Sequence, residues 1–269
     1  MSDLGDNEIH IRVTEGIRSL HERLDELELT VVARLNAESQ PLTEPDGKEL
    51  PAWQRVTEGE GRWAAAVITA AGIALQVAVP GHLSLISPSW ILPTVQGLLL
   101  VTLVAINPTK INRESVLLRW LALTLAGVMS VANVWSVVHL IIALINGGAD
   151  VNKPATLLFT GASIWLTNVI AFALWYWEFD RGGPVERARG IVQYPDLQFP
   201  QMTAPDMAPP HWEPAFADYL YVAFTNATAF SPTDTMPMSR WAKLAMTLQS
   251  AISLITIGLI VARAVNILQ

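Results

Sequence analysis

The stretch VLLRWLALTLAGVMSVANVWSVVHLIIALI, residues 116–145, decides the fold class of this protein. Its 30 residues carry a single charge, Arg119, close to the beginning. Because a helix needs roughly 20 mostly apolar residues to cross the hydrocarbon core of a bilayer, this longer stretch predicts a tilted transmembrane helix. It ends at Asn146-Gly147-Gly148, a sequence that breaks helices.

Four other apolar segments have the same character. They cover residues 63–79, 90–106, 155–179 and 241–268. Many of the ten tryptophans fall at the ends of these segments, where their amphipathic rings favour the lipid–water boundary. With 51% hydrophobic and 15% charged residues, the chain predicts an all-α, multipass transmembrane bundle of about five spans.

The distribution of basic residues predicts the orientation. Fifteen of the 17 Lys and Arg residues fall on one side of the predicted spans, and only Lys153 and Arg263 fall on the other. The positive-inside rule then places the N-terminus in the cytoplasm and the C-terminus outside. We expect a bacterial cytoplasmic (inner) membrane protein, and the acidic, polar N-terminus MSDLGDNEIH shows no cleavable signal peptide.

Residues 9–36 predict a cytoplasmic amphipathic helix ahead of the spans. Its apolar positions recur every three or four residues and form a coiled-coil seam: Val13, Ile17, Leu20, Leu24, Leu27 and Val31. Such a seam favours self-association, and folding back onto its own chain is the alternative. The expected organisation is this helix at 1–40, a linker at 41–62, four transmembrane helices at 63–179, a Pro-rich connection at 180–213, and a hairpin with the last transmembrane helix at 214–269.

The segment 216–230 is apolar but only about 15 residues long, which is too short to span a bilayer. It is followed by Ser231-Pro232-Thr233-Asp234, which breaks the helix before the last span. Non-helical backbone at membrane depth is tolerated only where protein or water covers it. The pattern therefore predicts a re-entrant hairpin, and an interfacial helix is the alternative.

The sequence DYLYVAFTNATAFSPTDTMPMSRWAKLAM, residues 218–246, resembles the pore hairpin of two-span bacterial potassium channels without gaps. The matching positions are Asp218, Leu220, Tyr221, Phe224, Thr228, Asp234, Pro237, Ala242 and Lys243. The two glycines that flank a tyrosine in the channel filter are absent, since Ser231, Pro232 and Thr233 stand there. With YPDLQFPQ at 194–201, the last third of the chain also resembles an uncharacterised bacterial family of multipass membrane proteins of unknown function.

The resemblance implies an oligomeric pore, with a tetramer expected, that conducts small ions without potassium selectivity. Its filter-like residues would be Thr228, Ala229, Phe230, Ser231, Pro232, Thr233 and Asp234. The stripe of Gln249, Ser253 and Thr256 on the last span would line the pore. For Asp234 the alternative role is to cap the next helix. The basic-residue count places this hairpin on the cytoplasmic face, opposite to potassium channels.

Other functions find less support in the sequence. The alternative to a channel is a non-conducting membrane scaffold that recruits partners through its cytoplasmic helix. No phosphate loop, zinc helix or serine elbow is present, so we expect neither an enzyme nor a cofactor. The net charge of -7 gives no reason to expect nucleic acid.

Some polar residues have two possible interpretations. Four acidic residues of one predicted cytoplasmic segment could gather a cation, but they are spaced irregularly between prolines: Asp196, Asp206, Glu213 and Asp218. This favours a solvated loop over a cation site. His139 is expected to bond between helices rather than to relay protons. Glu178 and Asp180 are expected at the cytoplasmic end of the fourth span, where a charge is tolerated.

Overall fold

The computed structural model describes residues 50–106, 116–146, 153–190, 192, 194–228 and 234–268. The features below lie in one compact unit, residues 51–269. The predicted amphipathic helix at 9–36 lies outside the described residues.

The described chain is a helical bundle. Four helices come first, α1 (Trp63–Ala78), α2 (Ile91–Ile106), α3 (Val116–Asn146) and α4 (Pro154–Phe179). The short α5 (Pro184–Ala188) and α6 (Pro200–Thr203) precede the half-length α7 (Phe216–Thr228) and the long α8 (Arg240–Leu268). Two-residue strands β1 (Leu197–Gln198) and β2 (Met236–Pro237) pair antiparallel, with Leu197 opposite Pro237.

Three helices are long and apolar enough to cross a membrane: α3, α4 with its continuation to Gly182, and α8 up to Val265. The predicted all-α class and these three spans are therefore confirmed at the level of length and composition. The helices α1 and α2 have 16 residues each, fewer than the roughly 20 that a crossing requires. A total of five spans stays a prediction.

The helix α4 lies at the centre of the bundle. In its most apolar window 72% of the residues are buried, against 28% in α3 and in α8. Small residues on α4 allow this central position, because a helix without bulky side chains on one face lets its neighbours approach closely. Gly161 is one of them, and it lies against Ile260 of α8.

Replacing Gly161 with alanine is expected to lower the free energy of unfolding by about 1–2 kcal/mol, the cost of overpacking a closed contact. A Cβ at this position would overlap Cδ1 of Ile260 and lie 3.0 Å from its Cγ1. Gly97→Ala on α2 is the matched control, since nothing lies within 4 Å of its added Cβ. Thermal melting of both variants in detergent checks the expectation, and equal melting temperatures would contradict it.

Candidate functional site

The start of α7 is fixed by two carboxylates. Asp218 accepts a hydrogen bond of 2.8 Å from the backbone N–H of Ala215, as an acid in the first turn does when it closes a helix start. Glu60, far away in sequence, accepts one of 2.5 Å from the N–H of Phe216 and another of 2.7 Å from the indole of Trp177. The start of α7 is thereby tied to the end of α4.

Burial raises the pKa of Glu60 above the usual range of a glutamate. The hydrogen bonds from Phe216 and Trp177 and the charge of Arg187 oppose this rise. Because water is the main stabiliser of a carboxylate, a half-buried Glu needs such donors to remain charged. Glu60 therefore depends on the same contacts that hold α7 in place.

The end of α7 is hydrogen-bonded to the first third of α8. The side-chain amide of Asn226 donates to the backbone carbonyl of Met246 at 2.9 Å and to Oε1 of Gln249 at 2.8 Å. In return, Gln249 donates to the carbonyl of Ala223 at 2.8 Å, and the hydroxyl of Ser250 donates to the carbonyl of Asn226 at 3.1 Å. This reciprocal bonding holds the last turn of α7 beside the second and third turns of α8.

The three residues predicted to line a pore are buried inside the chain. Gln249 also accepts a hydrogen bond of 2.6 Å from Tyr176 of α4. Ser253 accepts one of 3.1 Å from Asn168 of α4, and Thr256 donates to the carbonyl of Ile252 in its own helix at 2.7 Å. Their exposed fractions are 0%, 0% and 3%. Their lining of a pore in an assembly stays a prediction, whereas within the chain Gln249 and Ser253 join α8 to α7 and α4.

Only the two ends of the filter-like segment belong to the described residues. Thr228 is half-buried, and its hydroxyl donates to the carbonyl of Thr225 at 2.7 Å. Asp234 is exposed and accepts a hydrogen bond of 3.3 Å from the hydroxyl of Tyr221. The predicted filter positions Ala229, Phe230, Ser231, Pro232 and Thr233 lie outside the described residues.

The alternative role of Asp234 as a helix cap is wrong. The helix α8 begins at Arg240, six residues beyond Asp234, so the side chain is too far along the chain to reach the first turn. Ser239 takes the capping position instead, and its hydroxyl accepts a hydrogen bond of 3.3 Å from the N–H of Ala242. Asp234 is thus an exposed carboxylate bonded to α7.

A polar cluster closes the bundle where α4 ends. Asp180 is completely buried and accepts three hydrogen bonds, from the N–H groups of Asp196 (2.9 Å) and Leu197 (3.2 Å) and from the hydroxyl of Tyr219 (2.6 Å). Asp196 accepts in turn from the N–H of Arg181 at 2.9 Å and from the indole of Trp241 at 2.8 Å. The cluster joins α4, β1, α7 and α8.

Two arginines complete this cluster. Arg181 has a positive φ of 50°, unusual for a side chain with a Cβ, and it opens the reversal that Gly182 and Gly183 continue. It donates to the carbonyl of Trp53 at 2.5 Å. Arg187 donates to the carbonyls of Trp177 (2.6 Å) and Asp180 (3.0 Å), and its guanidinium lies 4.9 Å from the centre of the Tyr219 ring. These contacts stabilise the strained backbone conformation of Arg181.

The structure corrects the expectation for the charges at this end of α4. Glu178 and Asp180 are buried, with exposed fractions of 6% and 0%. Asp180 is covered by the residues around β1 and by Tyr219, and Glu178 lies among residues of α1, α2 and α3. The expected solvated loop is likewise wrong for Asp196, which is half-buried and accepts hydrogen bonds on both carboxylate oxygens, whereas Asp206 is exposed. The sequence carries no local signal for either result, since the donors come from distant positions. Within the described ranges, no three His, Asp or Glu side chains are grouped to hold a metal ion.

Among the described residues, His139 has no hydrogen bond to another helix. Its Nδ1 lies 3.1 Å from the carbonyl of Trp135 one turn earlier, and the two rings stack at 4.2 Å between centres. The expected bond between helices is therefore wrong for His139. In the same helix Ser136 does make such a contact, because its hydroxyl donates to the carbonyl of Leu83 at 3.0 Å.

The arrangement as a whole is a short helix seated between two long ones, fixed at its start by carboxylates and at its end by amides. Comparison with protein-family models, with curated proteins and with solved structures finds no match.

Proposed function

We propose that this protein is the subunit of an oligomeric, ion-channel-like membrane protein that conducts small cations, with α7, its connection to α8 and α8 itself forming the path. The observation that carries this proposal is that α7 ends beside the second and third turns of α8, within the part of α8 that is apolar enough to cross a membrane. In a bilayer, α7 would enter from one face, stop at depth and return to the same face. Such a course would make the segment a re-entrant hairpin.

The depth follows from the contacts of Asn226. This residue bonds to Met246 and Gln249, which lie six and nine residues after the start of α8. At 1.5 Å per residue, the end of α7 is roughly 9–14 Å beyond the first residue of α8. Before α8 begins, the chain lies beside the polar cluster again. There β2 pairs with β1, and the N–H of Met238 donates to the carbonyl of Asp196 at 2.8 Å. Both ends of the hairpin thus meet the polar cluster.

The electrostatics of the hairpin favour cations. A helix carries a partial negative charge at its C-terminal end, and this end of α7 points away from the polar cluster. Half-helix ends of this kind coordinate cations at membrane depth. The exposed carboxylate of Asp234 is hydrogen-bonded to Tyr221 of α7 and adds a negative charge in the connection between α7 and α8.

The surface available to other copies is the exposed side of α7 and α8. Tyr221 and Phe224 of α7 have exposed fractions of 53% and 46%. Along α8 the exposed positions include small or hydroxyl-bearing residues: Thr247, Ala251, Gly258 and Ala262. We propose that copies meet along this side and that the path runs between them, while Gln249 and Ser253 keep the hairpin in place. A tetramer in a bacterial inner membrane is the assembly we infer from the resemblance.

The test is ion flux through purified protein in liposomes under an applied voltage. We expect flux of potassium and sodium in excess of chloride, and we expect Asp234→Asn to reduce that preference severalfold, because it removes a charge and keeps the hydrogen-bonding shape. The control is Asp206→Asn, a change at an exposed carboxylate outside the hairpin. Absence of flux for every small ion would rule out conduction.

The competing proposal is a non-conducting membrane scaffold. The observation that favours it is that Asn226, Gln249 and Ser253 make their hydrogen bonds within one chain, which needs no lumen. The same liposomes distinguish the two proposals, since a scaffold gives no flux even when its native mass in detergent corresponds to an oligomer.

A further inference from the structure

A groove of about 530 Å³ lies between α3, α4 and α8, away from the hairpin. Its volume is within the roughly 300–1,000 Å³ of pockets that hold small molecules. Trp175 and Phe179 of α4 and Trp241 of α8 line it near the polar cluster, and Asn133 and Asn168 line its other part. Since Phe179 and Asn168 are eleven residues apart on one helix, the groove is about 16 Å long.

The walls of the groove are aromatic. Trp175 and Phe179 stack with their rings 5.1 Å apart and nearly parallel, and Phe179 lies 5.5 Å from Trp241. The indole of Trp175 donates to Ser130 of α3 at 2.8 Å, so its polar edge is satisfied. Flat rings stack favourably against such walls.

The groove also contains an amide without a partner. The side chain of Asn133 is 3% exposed, and the described part of the chain gives it no hydrogen bond. Asn168 differs, because it donates to Ser253 at 3.1 Å. An amide offers two donors and an acceptor, and in a bilayer no water compensates for leaving them unused. An acyl chain of a phospholipid has no group at this depth that would satisfy Asn133.

We propose that the groove binds a membrane-dissolved amphiphile of the isoprenoid-quinone class, with a ring carbonyl accepting a hydrogen bond from the Asn133 amide. The flat ring lies against Phe172 and Trp175, and the apolar tail leaves the groove for the lipid. This assignment concerns binding alone, and it is independent of ion conduction.

The experiment titrates decylubiquinone into the full chain in lipid nanodiscs and follows quenching of tryptophan fluorescence. Saturable quenching is expected. Asn133→Leu, which keeps similar volume and removes the amide, should weaken binding about tenfold, the effect of one buried hydrogen bond. Its melting temperature should stay equal or rise, because an unpaired polar group has been removed. Ala245→Phe should abolish binding by filling the groove, whereas Ala70→Phe, at an exposed position of α1 outside the groove, should not.

Decylbenzene, which has a ring and the same tail but no oxygen, is the matched ligand. It should displace decylubiquinone only at about tenfold higher concentration or above. Equal displacement, or unchanged binding by Asn133→Leu, would mean that the groove accepts any hydrocarbon and would overturn the proposal. Closure of the groove by a second copy of the chain would also overturn the proposal. In that case saturable quenching would be absent, and Ala245→Phe would reduce the native mass of the oligomer.

Discussion

Asp180→Ala is expected to lower the free energy of unfolding by about 3–5 kcal/mol, the range measured when one partner of a buried charge network is removed. The carboxylate is completely buried and accepts hydrogen bonds from two backbone N–H groups and from Tyr219. Its loss leaves all three donors without an acceptor. It also leaves the buried Arg181 and Arg187 with less negative charge around them.

The measurement is unfolding by SDS titration in mixed micelles, followed by circular dichroism. Tyr219→Phe is the graded control, because it removes one of the three donors and keeps the ring beneath Arg187. It should cost about 1–2 kcal/mol. Glu186→Gln, in an exposed pair with Arg189 at 3.3 Å, should cost less than about 1 kcal/mol. An effect of Asp180→Ala as small as that of Glu186→Gln would contradict the role of the cluster.

Gln249→Leu is expected to lower the free energy of unfolding by about 2–3 kcal/mol. A single hydrogen bond between membrane helices contributes on average about 0.6 kcal/mol, but here one amide serves three partners on two helices. With leucine at this position, three buried groups lose their hydrogen bonds to the amide: the hydroxyl of Tyr176, the amide of Asn226 and the carbonyl of Ala223. The end of α7 should therefore detach before the rest of the bundle unfolds.

Hydrogen exchange separates local from global loss of structure. Amides of α7 should lose protection in Gln249→Leu, while those of α3 keep it. Thr247→Leu is the control, since this exposed residue of α8 bonds only to the carbonyl of Lys243 in its own helix at 2.8 Å. Equal exchange in α7 for the two variants would show that the amide network does not hold the hairpin.

The helices were predictable from the sequence because their signals are local. The predicted segments 63–79, 90–106 and 155–179 differ from α1, α2 and α4 by one residue at an end. The run of apolar residues in α3 and the breaks at Asn146 and Phe179 fix the bounds of their helices. The short α7 was recognisable for the same reason, since an apolar run of half the required length and a following Ser-Pro break are properties of adjacent residues.

The candidate site was predictable only in part. The spacing of Gln249, Ser253 and Thr256 placed them on one face of a helix. It gave no information on which helix or solvent lies against that face. Asp180 and Asp196 gave no signal at all, because an isolated Asp beside a Gly-rich turn or a Pro has the same local pattern whether it is solvated or buried. The unusual backbone of Arg181 was equally hidden, since Arg rarely adopts a positive φ.

The sequence by itself indicated an apolar, helical chain of about five spans, with a half-length helix and a break before the last span, and three of those spans are helices of membrane length in the structure. Only the tertiary structure decided where the polar groups of these helices point. Tyr176 and Gln249 are 73 residues apart, and Glu60 and Phe216 are 156 apart. Apolar length and helix breaks act between neighbours along the chain. The pairing of buried donors with acceptors depends on which helices lie side by side, and this is settled only when the whole bundle packs around α4.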